Sequence, residues 1–405
     1  MKTPLGLLNL WHQRTRTLVS TSGVAFALLL VFAQLGFMGA VSHTATNTFR
    51  HLKFDLLVRS SNYAHFFEPS QVDRRLLTVA QNTAGVADVA PLWITVLNWQ
   101  RIVPGRVPSQ APDVQPIGVM AFDTSDEAFD LPDLSRLVQA GSLRGDNNLL
   151  IDQMTRPEFE PINGRQFGPN DIGTEAEILG SRFRIAGVYR LGTGLAANGS
   201  MITSDRGYAR LLPVNTKTTA ALGLVQLESG QSADQVLKRL LDRFQLQAIR
   251  DPTWPPQWSV SVLTRQQAID WERQRWLWQT PIGLIFQLGV VISLIVGSAI
   301  VYMVLATDVT ERLPEYATLL AIGYSRGYLA SIVMTQAVLL AFCGFVVAWL
   351  LAETLYRFAT AYSGITMSMD WQRIALVCVL GLGMCCFSGL LALRKLWKAE
   401  PANLF

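Results

Sequence analysis

Four stretches of this 405-residue chain carry no charged side chain over the length that a helix needs to cross a bilayer. These windows are residues 19–41, 282–305, 329–351 and 374–393. A bilayer core takes about 20 apolar residues in an α-helix. Composition agrees, because a chain that is 50% hydrophobic and only 16% charged is too apolar for a soluble protein of this size. The sequence therefore predicts an α-helical membrane protein with four transmembrane helices.

Basic residues flank the outermost windows and predict their orientation. They are Lys2, Arg14 and Arg16 before the first window, and Arg394, Lys395 and Lys398 after the last. By the positive-inside rule both termini are cytoplasmic. Residues 1–18, 306–328 and 394–405 are then cytoplasmic, and residues 42–281 and 352–373 lie outside. A cleaved signal peptide is the alternative for window 19–41, but the run is long for one and its removal would leave an odd number of spans.

Residues 42–281 alternate short strand-like runs with amphipathic helices, which is typical of an α+β domain. The predicted strands are residues 54–59, 89–98, 117–122, 149–152, 183–189, 222–228 and 259–263. The predicted helices are residues 69–83, 131–140, 205–212 and 233–244. Residues 103–116 contain four prolines and indicate a loop or boundary.

Residues 264–281 are predicted as a stalk helix that leads from this domain to the second window. Trp271, Trp276 and Trp278 lie along it. Indoles at this place suit the membrane interface, and packing against the outward extension of the first span is a second explanation that does not exclude the first.

The sequence lacks the residue patterns that are typical of metal sites, of common hydrolases and of nucleic-acid binding. All four cysteines lie inside the windows, and no histidine stands at a metal-site spacing, so no metal is predicted. The domain carries no G-x-S-x-G or H-E-x-x-H motif, so no catalytic residue is predicted. Basic residues cluster beside the windows rather than in a tract, so nucleic acid is not an expected partner.

ATP hydrolysis by the chain itself is also not expected. A phosphate-binding loop needs a Gly-Lys pair followed by Ser or Thr, and none of the six lysines follows a glycine. No cofactor is therefore predicted, and any ATP-driven activity requires a separate ATP-binding subunit.

The windows themselves limit function, since ion-coupled carriers usually place a charged residue at membrane depth. None is present here. Gly289, Ser293 and Gly297 recur at four-residue spacing and predict a helix face that allows close packing. That packing is either within one subunit or across a homodimer.

The cytoplasmic loop 306–328 contains a predicted short helix with Pro314 at its start and Gly323 just past its end. Such a helix is unstable alone in water. Tyr316, Leu319 and Ile322 are expected to be exposed on it and so need a surface to bury against, either the membrane interface or another protein. The residues assigned to this candidate site are Leu313, Pro314, Glu315, Tyr316, Leu319, Ile322, Gly323 and Tyr324.

Several short runs occur along the chain: PLGLLNL at 4–10, RTR at 14–16, GVAFA at 23–27, FD at 122–123, RPEF at 156–159, LPEYATL at 313–319, AIGY at 321–324, RKL at 394–396, and Pro401, Ala402 and Phe405. In their order and spacing, and most strongly at both ends, they resemble the DevC-type permeases of cyanobacteria, within the MacB-like (FtsX-like) ABC exporters. The sequence departs from the family at Arg312, where histidine is common, and at Gln336, where glutamate is common.

The resemblance implies a homodimeric permease in the bacterial inner membrane, paired with an ABC ATPase that binds the ATP. It also implies a DevB-like periplasmic adaptor and a TolC-like outer-membrane channel. The loop helix would be the ATPase-coupling helix, and closure of the ATPases would move the periplasmic domain by mechanotransmission. The alternative is an FtsX-like regulator of a cell-wall hydrolase, which has the same four-span architecture.

The predicted orientation is tested with reporter fusions. A phosphatase fused at Gly145 should be active, because that enzyme needs an extracytoplasmic location, whereas the same enzyme fused at the carboxyl terminus should be inactive. A cytoplasmic reporter such as a fluorescent protein should give the opposite pattern. An inactive phosphatase at Gly145 would contradict the assigned orientation.

Overall fold

A computed structural model describes residues 14–102, 115–192, 197–251, 253–255, 259–363 and 367–398 of the protein. The chain divides into two compact units. The helical unit is Met1–Val41 together with Leu277–Phe405, and the α+β unit is Ser42–Trp276. The runs 4–10 and 401–405 and most of the proline-rich segment 103–116 lie outside the described residues.

The described residues contain ten α-helices and eleven strands. The helices are α1 Arg14–His51, α2 Arg74–Gln81, α3 Pro132–Gln139, α4 Asp205–Leu211, α5 Ala233–Arg250, α6 Arg265–Gln274, α7 Pro281–Glu311, α8 Leu313–Ala321, α9 Arg326–Ser363 and α10 Trp371–Lys398. The strands are β1 Leu56–Ser60, β2 Val72–Asp73, β3 Val86–Arg101, β4 Gln115–Phe122, β5 Asn148–Asp152, β6 Glu175–Ile178, β7 Ser181–Tyr189, β8 Gly199–Ser204, β9 Thr219–Ala220, β10 Leu222–Leu227 and β11 Val260–Thr264.

The four apolar windows fall in α1, α7, α9 and α10. Each of these helices is long and apolar enough to cross a membrane, with mean hydropathy between 2.2 and 2.5 over its most apolar stretch. The predicted architecture, four such helices with a large α+β domain between the first two, is confirmed.

Small residues allow the helices of the helical unit to pack closely. A β-carbon placed on Gly297 of α7 would lie 2.6 Å from the β-carbon of Ala27 in α1 and 2.5 Å from the sulfur of Met384 in α10. One on Gly289 would lie 2.5 Å from the side chain of Gln34 in α1. Ser293 is buried, and its hydroxyl donates to the carbonyl of Gly289 at 2.7 Å. The close approaches that Gly289 and Gly297 make are therefore contacts within one chain.

In the α+β unit, nine of the described strands form one mixed sheet in the order β11-β1-β10-β3-β4-β8-β5-β7-β6. β6 also pairs with β3, so β3, β4, β8, β5, β7 and β6 form a closed ring. β8 runs parallel to β4, and β7 runs parallel to β5. Closure removes the exposed edges that the six strands would otherwise present.

Apolar cores cover both faces of this sheet. On one face, α2, α4 and α5 bury their apolar sides over a cluster that includes Trp99 and Phe183. α5 shows why the sequence forms this helix, since its buried residues Val236, Leu240 and Phe244 recur every four positions. On the other face, α3 and α6 pack on a second cluster. Each large apolar side chain buried in this way contributes about 1.5 to 3 kcal/mol.

Three predicted helices differ from the structure by more than one residue. The helix predicted at residues 233–244 continues to Arg250 as α5. α2 begins at Arg74 rather than at Pro69, because Asp73 caps it by accepting a hydrogen bond from the Arg75 amide at 2.8 Å. The stalk 264–281 is not one α-helix: α6 ends at Gln274, a π-helix occupies Arg275–Gln279, and Thr280 caps the start of α7. Single π-helical turns inside helices are rare and occur frequently at functional sites.

A buried ion pair holds the loop that follows β5. Asp171 is 1% exposed and contacts the guanidinium of Arg101 at 3.2 Å. The same carboxylate accepts hydrogen bonds from the amides of Ile162 at 2.8 Å and Gly168 at 3.0 Å. Arg101 also donates to the carbonyl of Glu160. This carboxylate therefore organises the loop that follows the RPEF run.

Removing Asp171 should destabilise the protein strongly. In Asp171→Ala the buried Arg101 charge loses its partner, which typically costs about 3 to 5 kcal/mol. The matched control is Asp133→Ala, because Asp133 and Arg136 pair at 2.7 Å with side chains that are 65% and 76% exposed. Exposed pairs contribute about 0 to 1 kcal/mol. Urea unfolding of the full chain in detergent, followed by tryptophan fluorescence, measures the loss of unfolding free energy in both variants. An equal loss in Asp171→Ala and Asp133→Ala would contradict the structural role of Asp171.

A leucine at Gly297 should destabilise the helical unit, because its side chain would overlap Ala27 and Met384. Overpacking of this kind costs about 1 to 3 kcal/mol. Gly383 of α10 is the control, since a β-carbon there has no heavy atom within 4 Å among the described residues. Thermal unfolding in detergent should show a lower midpoint for Gly297→Leu than for Gly383→Leu. The reverse order would argue against close packing at Gly297.

Candidate functional site

The helix of the cytoplasmic loop, α8, starts directly after α7, with Arg312 between them. Arg312 is both the C-cap of α7 and the N-cap of α8. Its guanidinium contacts the carboxylates of Asp308 at 3.2 Å and Glu315 at 3.9 Å. Pro314 lies in the first turn, where the amide hydrogen that it lacks has no partner in the helix. The ion pairs of Arg312 thus fix the corner between the two helices.

The end of α8 is a Schellman motif. Gly323 has φ +103°, a left-handed conformation that favours glycine. Its amide donates to the carbonyl of Leu320 at 3.0 Å, and the amide of Tyr324 donates to the carbonyl of Leu319 at 3.0 Å. The two carbonyls at this end are therefore satisfied, and the helix stops at the place that Gly323 predicts.

Tyr316 is buried in the protein itself, which corrects the expectation that it is exposed. It is 3% exposed and lies in a cluster to which three long helices contribute. The other buried members are Val309 of α7, Leu329, Ile332 and Val333 of α9, and Leu393 of α10. Burial raises the pKa of Tyr316 to about 12. One face of α8 is thus fixed to the ends of three helices that are long enough to span the membrane.

The other residues of the candidate site lie at the margin of α8, on its outer surface or, for Ile322 and Tyr324, in the residues that follow it. Leu313, Leu319 and Leu320 are half-buried against the same cluster. Ile322 is 71% exposed, Tyr324 is 46% exposed, and the side chain of Glu315 is 71% exposed. The tyrosine ring stacks on Tyr328 at 4.9 Å between centroids. The free surface therefore combines an isoleucine, an aromatic ring and one carboxylate.

The exposed side chains of this arrangement suit the binding of a protein partner. Among residues 14–102, 115–192, 197–251, 253–255, 259–363 and 367–398, no group of three or more His, Cys, Asp or Glu side chains is placed to hold a metal ion. An exposed isoleucine beside an aromatic ring is instead the kind of surface that a protein partner buries.

Besides Asp171, the described part of the α+β unit contains two further buried carboxylates that the sequence analysis did not identify. Asp152 is fully buried and accepts hydrogen bonds from the amides of Met154, Leu191 and Gly192 and from the hydroxyl of Ser200. Burial raises its pKa. This carboxylate holds together the end of β5, the start of β8 and the residues after β7.

Glu272 of α6 is the second buried carboxylate, at 1% exposed. It accepts hydrogen bonds from the hydroxyl of Tyr63 at 2.8 Å, the amide of Phe66 at 3.1 Å and the indole of Trp276 at 3.0 Å. Burial raises its pKa. A signal was present in the sequence, because Ala268, Glu272 and Trp276 recur every four residues and so share the helix face that packs inward.

Two family models match the sequence. A MacB-like periplasmic core domain matches residues 17–243, and an FtsX-like permease C-terminal domain matches residues 288–401. No curated protein is similar to the chain at a significant level.

Two solved structures are similar to the protein over 52% of its chain, each with a TM-score of 0.33. One is the periplasmic region of MacB from Actinobacillus actinomycetemcomitans, at 9% identity and 88% coverage of that structure. The other is the extracellular domain of the noncanonic ABC-type transporter YknZ from Gram-positive bacteria, at 12% identity and 99% coverage. At this TM-score neither similarity supports an argument about the present chain.

The MacB-like model alone extends over more than half of the sequence, and the FtsX-like model covers most of the remainder, including α8. Four apolar helices accompany these two domains. The protein therefore belongs to the MacB-like and FtsX-like permeases, the multi-pass inner-membrane subunits of ABC transporters that work with an ABC ATPase.

Proposed function

We propose that this chain is a DevC-type permease that couples ATP hydrolysis by its partner ATPase to movement of the α+β unit. The output is export of a substrate that is already in the periplasm. Both termini are cytoplasmic, so α8 faces the ATPase and the α+β unit faces the periplasm. The ATP is bound by the partner, since this chain has no Gly-Lys pair for a phosphate-binding loop.

The division of α8 into a buried and an exposed face is the observation that carries this proposal. Tyr316 joins the helix to α7, α9 and α10 through one apolar cluster. Ile322 and Glu315 point away from that cluster and are both 71% exposed. A partner that buries Ile322 gains about 1.5 to 3 kcal/mol from that side chain. Force applied to α8 by such a partner enters three long helices at once.

The route of export is the finer part of the proposal. It rests on the resemblance of the loop and RPEF runs to DevC-type permeases, and it includes a homodimer, a DevB-like adaptor and a TolC-like outer-membrane channel. The apolar windows are consistent with it, because a permease that moves a periplasmic substrate needs no charged pathway through the bilayer. Regulation of a cell-wall hydrolase is not favoured, since the α+β unit matches the MacB-like core domain.

A pull-down of the ATPase tests the docking role of α8. Ile322→Asp places a charge on the exposed surface, and we expect recovery of the ATPase with the detergent-solubilised permease to fall about tenfold or more, the effect of losing at least 1.4 kcal/mol. Ile322 is a sharper choice than Leu319, because Leu319 is half-buried within the protein and its substitution would also disturb α8.

Thr307→Asp is the matched control. Thr307 is exposed near the end of α7 and lies outside α8, so Thr307→Asp adds the same charge to the same cytoplasmic segment. The Thr307→Asp permease should recover as much ATPase as the wild type does. Undiminished recovery with Ile322→Asp would contradict docking through α8 and would favour a helix that lies along the membrane interface.

A further inference from the structure

The loop of residues 61–67 contacts both segments through which the α+β unit continues into the rest of the chain. We call this loop the clasp. One segment is residues 42–51 of α1, and the other is α6 with Trp276 after it. Every contact described below lies within the α+β unit.

On the α6 side, the clasp is bound by the carboxylate of Glu272. Its two oxygens accept from the Tyr63 hydroxyl at 2.8 Å and the Phe66 amide at 3.1 Å. The Tyr63 ring packs edge-on against Trp271 at 5.1 Å, and the guanidinium of Arg59 lies 3.9 Å from the Trp271 ring. Glu272 also accepts from the indole of Trp276, the last residue of the unit.

On the α1 side, the clasp is bound by aromatic packing. The ring of Phe66 meets the ring of Phe49 edge-on at 5.2 Å between centroids, and both are almost fully buried. Thr44 and Thr48 of α1 line a small pocket together with Phe66, Glu272 and Trp276. Phe66 therefore touches both segments, with its amide on Glu272 and its ring on Phe49.

We infer, on the basis of the proposed function, that Glu272 is a positioning residue that makes α6 and the outer end of α1 move as one body. Motion that arrives along the chain at Trp276 passes through Glu272 to the clasp and from Phe66 to α1. Hydrophobic packing alone permits sliding, whereas three hydrogen bonds to one buried carboxylate fix a single geometry. The coupling thus depends on the acceptor oxygens and not on the volume of the side chain.

Two substitutions separate these contributions. Glu272→Gln keeps an oxygen that accepts a hydrogen bond from the Phe66 amide, and its side-chain amide group still reaches the Tyr63 hydroxyl. Glu272→Met keeps the volume of the side chain but accepts no strong hydrogen bond from Phe66 or Tyr63. Asp270→Asn is the control, since Asp270 lies on the same helix but is exposed and, in the part of the chain that the structure describes, pairs with Gln266 and Arg273 of α6. Tyr63→Phe removes a single hydrogen bond and retains the ring.

The readout is a distance between spin labels in the full chain bound to its ATPase. Labels are placed at Arg165→Cys in the α+β unit and Arg357→Cys in the helical unit, both exposed. The native cysteines are replaced by alanine, and labelled chain is diluted with unlabelled chain. Distances are measured without nucleotide and with ATP and vanadate. ATP hydrolysis and ATPase recovery are measured on the same samples.

We expect a nucleotide-dependent change in distance for the wild type, Asp270→Asn and Glu272→Gln, and loss of most of that change for Glu272→Met with ATP hydrolysis retained. If Glu272→Met does not fold, Tyr63→Phe should show a reduced change. A nucleotide-dependent change in distance as large as that of the wild type in Glu272→Met would overturn the role of Glu272. If Glu272→Met does not fold, the same result in Tyr63→Phe would overturn it. No change in the wild type would instead overturn the proposed function itself.

Discussion

The absence of water from the bilayer core is the constraint on which the rest of this protein depends. Backbone polar groups in a span must find their partners inside the protein, and buried polar side chains are stabilised when they also do so. Ser293 and Gln287 do so locally, through the carbonyls of Gly289 and Leu277. The hydroxyl of Tyr356 in α9 donates to the carbonyl of Phe32 in α1. The four windows themselves carry no charged side chain, which is the residue type that ion-coupled carriers usually place at membrane depth.

The proposed function requires the α+β unit to move as a rigid body. The closed ring of six strands makes the α+β unit suited to this, because every strand in the ring has a hydrogen-bonded neighbour on both sides. Buried carboxylates add rigidity where the chain is irregular: Asp171 fixes the loop after β5, and Asp152 fixes the residues after β7. Breaking either contact would leave several buried donors without an acceptor, at about 1 to 3 kcal/mol each.

Hydropathy and local capping were readable from the sequence, and non-local contacts were not. The four spans followed from charge-free windows, and the bounds of α8 followed from Pro314 and Gly323, whose conformational demands are local. Strand β8, with the sequence GSMITS, lacks a clear alternating pattern and was missed. Its two faces are buried by the two apolar clusters, one containing Met201 and the other Ile202, and these form only when distant segments pack together. Tyr316 was expected to be exposed because nothing in the loop itself shows that α9 and α10 supply a surface for it.

The burial of Tyr316 also bears on the choice between docking and a membrane-interface helix. An interfacial helix turns its apolar face to lipid, but the tyrosine of α8 and the adjacent Ala317 are covered by the protein itself. The exposed surface that remains, at Glu315, Ile322 and Tyr324, is partly apolar and partly charged, and its carboxylate is unfavourable in an apolar phase. A protein partner can accommodate both kinds of side chain, with an apolar pocket for the isoleucine and a hydrogen-bond donor for the carboxylate. Tyr316 therefore makes α8 a rigid extension of three long helices, and its free side is suited to a protein rather than to lipid.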